Sequence, residues 1–397
     1  MKSKLLFLFL LLNVHLLFAQ NATRNISRID VSKNYPRKSI TLQDIADVEY
    51  VSLETSDNVL LDGNCNISHV SDNYIVISNP LQGDVFLFGR NGKIKHQFNH
   101  RGEGPMDYLN ADRLIWDEKN KEIFIYSRKT TPVFLVYSED GTYKRTISFP
   151  VLGVEMIEVT NFDDENILIY EQKMNDDRYE KSPYMLLSKK DGKSTSILFT
   201  FPIRYSHTEI VGSWDSDGKF IPTRARLASA PNNWHDGQDF IIADISCDTI
   251  FQLKRDQSLI PLLIRTPSVH KTEPKIFLTS ILKTEKFILL NKTTMWIRGS
   301  NGGYEKNTLM YNFSNGEING EINEVHNAML SFFLNDDFPY GPVHWQEKTS
   351  APKNTLFFKI EAMDVYDNRN SIKGDLRKIA SAIDTEDNPV LMIAKFR

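Results

Sequence analysis

The sequence predicts an all-β protein of the β-propeller class, and three observations lead to this prediction. Short apolar runs recur along the chain. Several of them are apolar at successive positions, which is typical of strands buried on both faces of their sheet. Tight-turn signals follow these runs with a period near 50 residues. Small sheets stacked face to face around an axis, which are the blades of a propeller, account for all three.

The predicted strands are rich in β-branched and aromatic residues and are bounded by Gly, Asn, Asp or Pro. They lie at Val85–Phe88, Ile123–Tyr126, Phe134–Tyr137, Ile167–Tyr170, Met185–Leu187, Phe240–Ala243, Phe287–Leu290, Leu356–Phe358 and Val390–Ala394.

The turns carry the period. Asn-Gly or Asp-Gly pairs, which supply the positive φ angles of tight hairpins, place glycines at 92, 141, 192 and 316, and the first three are 49 and 51 residues apart. A further hairpin, Thr249–Leu253 followed by Arg255-Asp256-Gln257, keeps the pattern without its glycine. A period near 50 residues built from four short strands favours a propeller over a solenoid.

The first residues have the layout of a secretory leader. Lys2 and Lys4 precede the apolar stretch Leu5–Phe18, which is too short to span a bilayer as a helix, and Ala19-Gln20 offers a cleavage position. We therefore predict a signal peptide at 1–19, a lead-in at 20–47 and a single propeller domain at 48–397. The mature protein is expected to be periplasmic or extracellular and soluble. A buried apolar N-terminal element is the alternative.

Composition restricts the partners. Loss of the two leader lysines changes the formal net charge from −4 to −6, and no basic stretch stands out, so nucleic acid is not expected as a partner. The apolar runs after residue 20 are too short to cross a membrane as helices. Cys65 and Cys247 are the two cysteines. An oxidising compartment permits a disulfide between them, and two buried thiols are the alternative.

Part of the chain resembles a known family. His100–Tyr108 resembles one unit of the NHL repeat. The stretch from Val48–Glu54 to Glu386–Met392 is similar to a family of exported bacterial six-bladed β-propellers of unassigned function. The resemblance implies six blades, with seven as the alternative. Met106-Asp107 departs from the family, which more often has Gly-Glu there.

The sequence also predicts a turn between two blades and a short C-terminal helix. The Gly-x-Gly-Pro turn at Gly102–Pro105 is predicted to lead from one blade to the next, with Gly104 at positive φ, because a phosphate cradle would need a helix after it. One short C-terminal helix is predicted, capped by Asp375, with Leu376, Ile379, Ala380 and Ile383 on one face. Val390–Phe396 is expected to close the ring beside N-terminal strands.

The sequence contains little catalytic chemistry. It has no Gly-x-Ser-x-Gly elbow, no His-Glu-x-x-His helix and no Cys-x-x-Cys pair. The eight histidines after the leader are not spaced for a local metal site, so we predict no metal and no cofactor. The alternative is a zinc site made by histidines that separate blades bring to the axis.

The longest interruption of the period lies between Phe201 and Phe240. Long loops on rigid scaffolds usually carry function, and aromatic rings beside arginines suit glycans, peptides or other anionic ligands. Trp214 or Trp234 is expected to stack on the ligand, although a loop that packs on its own blade is the alternative. The candidate ligand-binding residues are Arg204, His207, Trp214, Arg224, Arg226, Trp234 and His235.

Two functions are compatible with these features. The favoured one is an exported, non-catalytic propeller that binds a ligand or a protein partner. The alternative is a propeller enzyme, a hydrolase or lyase, with a metal or an acid pair at the channel mouth. A second irregular loop, Asn335–Ser350, carries His344 and Trp345.

Overall fold

A computed structural model of the chain describes residues 26–38, 40–128, 131–148, 156–172, 182–198, 201–205, 208–214, 216–226, 233–236, 239–298, 301–320, 337–338, 344–345 and 351–397. The predicted leader and His207 lie outside the described residues.

Strands dominate the chain. They are β1 (Ser27–Asp30), β2 (Ala46–Ser52), β3 (Asn66–Val70), β4 (Tyr74–Asn79), β5 (Asp84–Gly89), β6 (Ile94–Asn99), β7 (Leu114–Asp117), β8 (Glu122–Arg128), β9 (Pro132–Ser138), β10 (Tyr143–Ser148), β11 (Met156–Asn161), β12 (Asn166–Gln172), β13 (Tyr184–Ser188), β14 (Ser194–Ser196), β15 (Thr208–Trp214), β16 (Phe220–Arg226), β17 (Asn233–Asp236), β18 (Asp239–Ile242), β19 (Thr249–Lys254), β20 (Leu259–Thr266), β21 (Ile276–Lys283), β22 (Phe287–Arg298), β23 (Asn301–Asn312), β24 (Ile318–Gly320), β25 (His344–Trp345), β26 (Ala351–Pro352), β27 (Thr355–Ile360) and β28 (Val390–Phe396).

The described helices are short: α1 (Leu42–Ile45), α2 (Ala362–Asp367), α3 (Leu376–Ala380) and a 3-10 turn at Val269–Lys271. The prediction of one helix was therefore incomplete, because α2 precedes α3 in the same connection. Asp375 occupies the N-cap position of α3 but its side chain makes no capping hydrogen bond. Its Oδ1 accepts instead from Lys378 Nζ at 2.9 Å, so the predicted capping role was wrong.

Six antiparallel four-stranded sheets form the ring, which confirms the six-bladed propeller. Blade 1 is β3–β6, blade 2 is β7–β10, blade 3 is β11–β14, blade 4 is β17–β20 and blade 5 is β21–β24. Blade 6 combines β25, β27 and β28 with the early strand β2. Blade 4 is extended to a six-stranded sheet, because β1 pairs in parallel with β20 and β26 pairs in parallel with β17.

The two ends of the chain close the ring in blade 6. Strand β2 pairs antiparallel with β28 from Ala46 opposite Phe396 to Ser52 opposite Val390. Strand β28 also pairs along its length with β27, so it is an interior strand of its sheet. The predicted closure by Val390–Phe396 is confirmed.

The apolar core lies between blades, as strands buried on both faces require. Trp116 and Ile123 of blade 2, for example, pack in one cluster with Val76 and Leu87 of blade 1. Outermost strands differ, because β6 alternates between partly buried and exposed residues. This arrangement is why the second and third strands of each blade were visible in the sequence as apolar runs.

The repeated turns have the expected backbone. Gly92, Gly141 and Gly192 adopt φ angles of 77°, 84° and 70°. Gln257, which stands where the fourth hairpin lacks its glycine, has φ 67°. All four residues lie in turns between the third and fourth strands of their blades.

The Gly-x-Gly-Pro turn joins β6 to β7 and so connects two blades, as predicted. The reason for glycine differs from the prediction, because Gly104 is not among the glycines at positive φ. Its N–H donates to Asp107 Oδ2 at 2.8 Å, and a β carbon on Gly104 would stand 2.6 Å from that oxygen. A side chain at this position would therefore have to displace the Asp107 carboxylate and its hydrogen bond to the Gly104 N–H.

Strand direction alternates within each blade, so the ring has two distinct faces. The loop between the second and third strands, and the connection to the next blade, emerge at one face, which we call the insertion face. The two other turns of each blade emerge at the opposite face, the turn face. The hairpin β15–β16 lies in the connection from blade 3 to blade 4 and belongs to the insertion face.

Candidate functional site

The predicted insertion contains an antiparallel hairpin, β15–β16, in which Trp214 pairs with Phe220, and Arg224 pairs with Ile210. Arg226 is the last residue of β16 and pairs with Thr208. Strand β15 lies against β23, one strand of the long β22–β23 hairpin of blade 5. The hairpin is therefore held at the insertion face by a neighbouring blade.

Trp234 and His235 have a different position from the one predicted. They lie on β17, the first strand of blade 4, so the interruption of the repeat ends before them. His344 and Trp345 of the second irregular loop form β25, the first strand of blade 6. First strands are the innermost strands of propeller blades, but β17 is paired on its inner side with β26, with His235 opposite Ala351.

Arg204 lies just before the hairpin and is completely buried. Its Nη2 donates to the carbonyl oxygen of Glu171, and its guanidinium carbon lies 5.2 Å from the ring centroid of Tyr170. The side chain is thus part of the contact between blade 3 and the connection that follows it, beneath the surface where a ligand would be expected to bind.

A buried carboxylate organises the same region. Asp244 Oδ2 accepts from the hydroxyl of Tyr170 at 2.9 Å and from that of Tyr184 at 3.5 Å. Asp244 Oδ1 accepts from the Ser246 N–H at 2.8 Å. Burial raises the pKa of both tyrosines well above the ordinary value, so both hydroxyls remain protonated donors and link blade 3 to blade 4.

The network continues outward to Tyr205. The Tyr205 N–H donates to Ser246 Oγ at 2.8 Å, which fixes the backbone beside the buried network. The Tyr205 ring stacks on His270, with centroids 5.5 Å apart and an interplanar angle of 26°. The Tyr205 hydroxyl lies 3.2 Å from His270 Nδ1. The connection from blade 3 thereby touches the connection between blades 4 and 5.

A lysine completes this cluster. Lys275 Nζ lies 5.7 Å from the Tyr205 ring centroid and pairs with Glu273 at 2.7 Å. The hydrogen bond to Glu273 raises the pKa of Lys275, so it is an ammonium ion at neutral pH. Tyr205 is itself buried, at 8% exposure, against Val269 and Phe277, so the part of the cluster open to a ligand is formed by the partly exposed His270 and Lys275. We call Tyr205, His270 and Lys275 the Tyr205 surface.

A second buried arginine lies under the connection that carries His270. Arg265 Nε donates to the carbonyl oxygen of Pro267 at 3.0 Å and Nη1 donates to that of Ile276. Asp248 Oδ1 is 3.9 Å from Nε, and among the described residues Nη2 has no hydrogen-bond partner. Burial lowers the pKa of Arg265 to about 10, so the guanidinium is still charged at neutral pH.

Sequence reasoning missed this surface. It identified Arg204, but not the adjacent Tyr205, and it treated His270 as one of several scattered histidines. Tyr205 and His270 are 65 residues apart in sequence, and no local pattern indicates that they meet. Within the described ranges, no group of three His, Cys, Asp or Glu side chains could share a metal ion. Cys65 and Cys247 are both free thiols.

The fold and this surface define the class: a six-bladed β-propeller with an aromatic and basic patch at the root of an inserted hairpin. The chain belongs to the family described as "Domain of unknown function (DUF4934)", whose model matches residues 26–395. No curated protein matches the sequence. Among the described residues, no helix is long and apolar enough to cross a membrane.

The chain is similar to several solved structures at low sequence identity. A "Putative exported protein" from Bacteroides fragilis NCTC 9343 is 13% identical with a TM-score of 0.58, and the match covers 94% of this chain and 100% of that one. A member of the DUF4221 family from Bacteroides vulgatus ATCC 8482 is 9% identical with a TM-score of 0.48, over 89% and 99% of the two chains. A streptogramin B lyase is 11% identical with a TM-score of 0.38, over 88% and 98%.

Proposed function

We propose that this protein is an exported, non-catalytic binding propeller whose ligand carries a carboxylate or another anionic group. The observation that carries the proposal is the Tyr205 surface. There a stacked Tyr205–His270 pair and the ammonium of Lys275 meet at the root of the inserted hairpin. Acidic glycans and peptides with free carboxylates have the matching chemistry.

The hydrogen bonds around Tyr205 support this site. A network of buried hydrogen bonds through Asp244 and Ser246 holds Tyr205 in place, so the surface is formed before a ligand arrives. Rigid aromatic groups beside positive charge are enriched among residues that dominate binding energy. Arg224 and Arg226 lie on β16, in the same connection between blades as Tyr205. The roles proposed for them and for Trp214 remain predictions.

Export is part of the same proposal. The predicted leader at 1–19 supports it, as does the likeness to a solved protein described as exported. We expect the mature protein in the periplasm or outside the cell, beginning near Gln20. N-terminal sequencing of the periplasmic and medium fractions tests this. Retention of residues 1–19 in a membrane pellet would contradict it.

The binding test uses defined probes. Uronic-acid oligosaccharides and peptides with a free C-terminal carboxylate are compared with their reduced or amidated neutral counterparts by calorimetry. We expect the acidic members to bind. The double variant His270→Ala/Lys275→Gln should weaken that binding by about tenfold or more, because it removes a stacking partner and a charge.

Lys378→Gln is the matched control, because Lys378 is an exposed lysine on α3, which lies between β27 and β28 of blade 6. It should leave affinity unchanged. Equal loss in both variants would show that general charge, and not this surface, attracts the ligand. A metal bound stoichiometrically to the purified protein would contradict the non-catalytic assignment and favour the hydrolase or lyase alternative.

A further inference from the structure

A polar cleft lies at the turn face, on the opposite side of the ring from the Tyr205 surface. It has a volume of about 640 Å³ and lies between blades 1 and 2. Four cationic side chains line it against two acidic ones. The lining residues used below are Asn73, Tyr74, Arg90, Lys95, Glu118 and Lys121.

Two ammonium groups share one aromatic ring in this cleft. Lys95 Nζ lies 4.3 Å and Lys121 Nζ 3.9 Å from the ring centroid of Tyr74. The ring is held in place by an edge-to-face contact with the buried Trp116, at 5.4 Å between centroids. A ring face attracts cations, so Tyr74 gathers the two lysines without neutralising either of them.

Glu118, one of the two acidic residues that line the cleft, contacts Asn73 and His69. Glu118 Oε1 accepts from Asn73 Nδ2 at 2.7 Å, and Glu118 Oε2 lies 3.5 Å from His69 Nε2. Lys121 has Glu139 only at 3.9 Å. In the part of the chain that the structure describes, Lys95 has no ion pair.

Arg90 has a hydrogen-bond donor that lacks an acceptor among the described residues. Its Nη2 pairs with Glu49 at 2.7 Å. Its Nη1 is buried and has no hydrogen-bond partner among the described residues. A buried guanidinium nitrogen without an acceptor is costly, and an oxyanion at the cleft wall would supply the acceptor.

At the next interface along the ring, cations are paired with carboxylates of the chain. Between blades 2 and 3, Lys189 Nζ pairs with Asp117 Oδ2 at 2.6 Å. Arg145 makes a two-pronged contact with Glu122 at 2.7 and 2.8 Å. There the cations and carboxylates of the chain satisfy each other. At the cleft between blades 1 and 2, Arg90, Lys119 and Lys121 each have a carboxylate within 4.0 Å, whereas among the described residues Lys95 has none.

We propose that this cleft is a second binding site, independent of the Tyr205 surface, for a small ligand that bears carboxylate, sulfate or phosphate groups. Lys95 and Lys121, whose ammonium groups lie beside the Tyr74 ring, bind the anionic oxygens of the ligand. Arg90 donates a hydrogen bond to the ligand from the wall of the cleft. The ligand is of metabolite or monosaccharide size, since clefts of several hundred Å³ hold molecules in that range.

The test titrates three probes separately into the purified protein at low ionic strength: citrate, inorganic sulfate and inorganic phosphate. We expect at least one to bind with measurable heat, and the probe that binds identifies the oxyanion class. The double variant Lys95→Gln/Lys121→Gln should weaken binding by about tenfold or more, because charge-assisted hydrogen bonds are lost. Both lysines are at the surface, so circular dichroism should show an unchanged fold.

Lys193→Gln is the control, because Lys193 is a highly exposed lysine on the same face in blade 3. It should bind as the parent does. The proposal is overturned if none of the three probes binds, or if Lys193→Gln and the double variant lose affinity equally. His270→Ala/Lys275→Gln should not affect these titrations, which separates failure of this site from failure of the Tyr205 surface.

Discussion

Gly192 of blade 3 lies against the carbonyl oxygen of Ser148, in the outermost strand of blade 2, so closely that a β carbon would stand 2.2 Å from that oxygen. Gly92 of blade 1 has the same relationship with the carbonyl oxygen of Ser52 in blade 6, at 2.0 Å. The glycine that marks the period of the sequence therefore meets two requirements at once. One is a positive φ, and the other is contact between successive blades.

Gly192→Ala should separate these two requirements when it is compared with Gly316→Ala. Gly316 has φ 71°, close to the 70° of Gly192, but its β carbon would meet nothing nearer than 3.7 Å. Backbone strain alone should lower the free energy of unfolding by about 1 kcal/mol in Gly316→Ala. Gly192→Ala adds a clash between blades and should lose at least about twice as much. Urea unfolding measures both, and equal losses would show that the blade contact adjusts freely.

The repeat could be predicted because its signals are local. Tight turns and apolar strands leave patterns in neighbouring residues, so the turn at Gly141 and the strand at Phe134–Tyr137 could be predicted from the sequence. Strand β17, with the sequence Asn-Trp-His-Asp, could not be recognised, because an innermost strand with polar residues lacks the apolar run. Its two central residues were therefore assigned to the insertion.

The candidate site was less accessible to sequence reasoning. Arg204 was selected because arginine beside aromatic residues suits a ligand, and the structure buries it over Tyr170 instead. The Tyr205–His270 stack depends on how the ring brings two connections together. Such contacts depend on the closure of all six blades. The residues next to Tyr205 and His270 in the sequence do not indicate them.

Removal of Val390–Arg397 should unfold the whole ring, because β28 is an interior strand that holds both β27 and β2. Without it, β2 has no partner in blade 6 and the ring has two open edges. We expect no cooperative thermal transition in the truncated protein. Removal of Arg397 alone, whose side chain is half exposed, should leave the melting temperature nearly unchanged. Cooperative melting of the longer truncation close to the parent's temperature would disprove the closing role.

The buried ion pair between Lys189 and Asp117 should be sensitive to loss of one partner. Their side chains are only 5% and 3% exposed and their charged atoms are 2.6 Å apart. Lys189→Met leaves the Asp117 carboxylate uncompensated and should lower the free energy of unfolding by about 3–5 kcal/mol. The double variant Lys189→Met/Asp117→Asn should recover part of this loss in the same denaturant titration.

Lys193→Met is the matched control for that prediction. Lys193 also pairs with an aspartate, but its side chain is 86% exposed. Exposed pairs contribute about 0–1 kcal/mol, so this variant should unfold nearly as the parent does. A loss in Lys189→Met no larger than that in Lys193→Met would show that the buried pair does not stabilise the contact between blades 2 and 3.

Glu118 should make the protein lose stability in acid. The interaction with His69, whose Nε2 lies 3.5 Å from Glu118 Oε2, and hydrogen bonds from Ser71 and Asn73 lower the pKa of its carboxyl to about 2 from an ordinary 4.5. Because the folded state holds the proton less tightly than the unfolded chain, the contribution to stability is complete above about pH 4.5 and is lost as the pH falls from there toward 2. Glu118→Gln should therefore give a flatter stability profile in this range. Glu386→Gln, at an exposed position, should keep the parent's slope. Urea unfolding at successive pH values measures all three proteins, and identical slopes for Glu118→Gln and the parent would refute the proposed contact with His69.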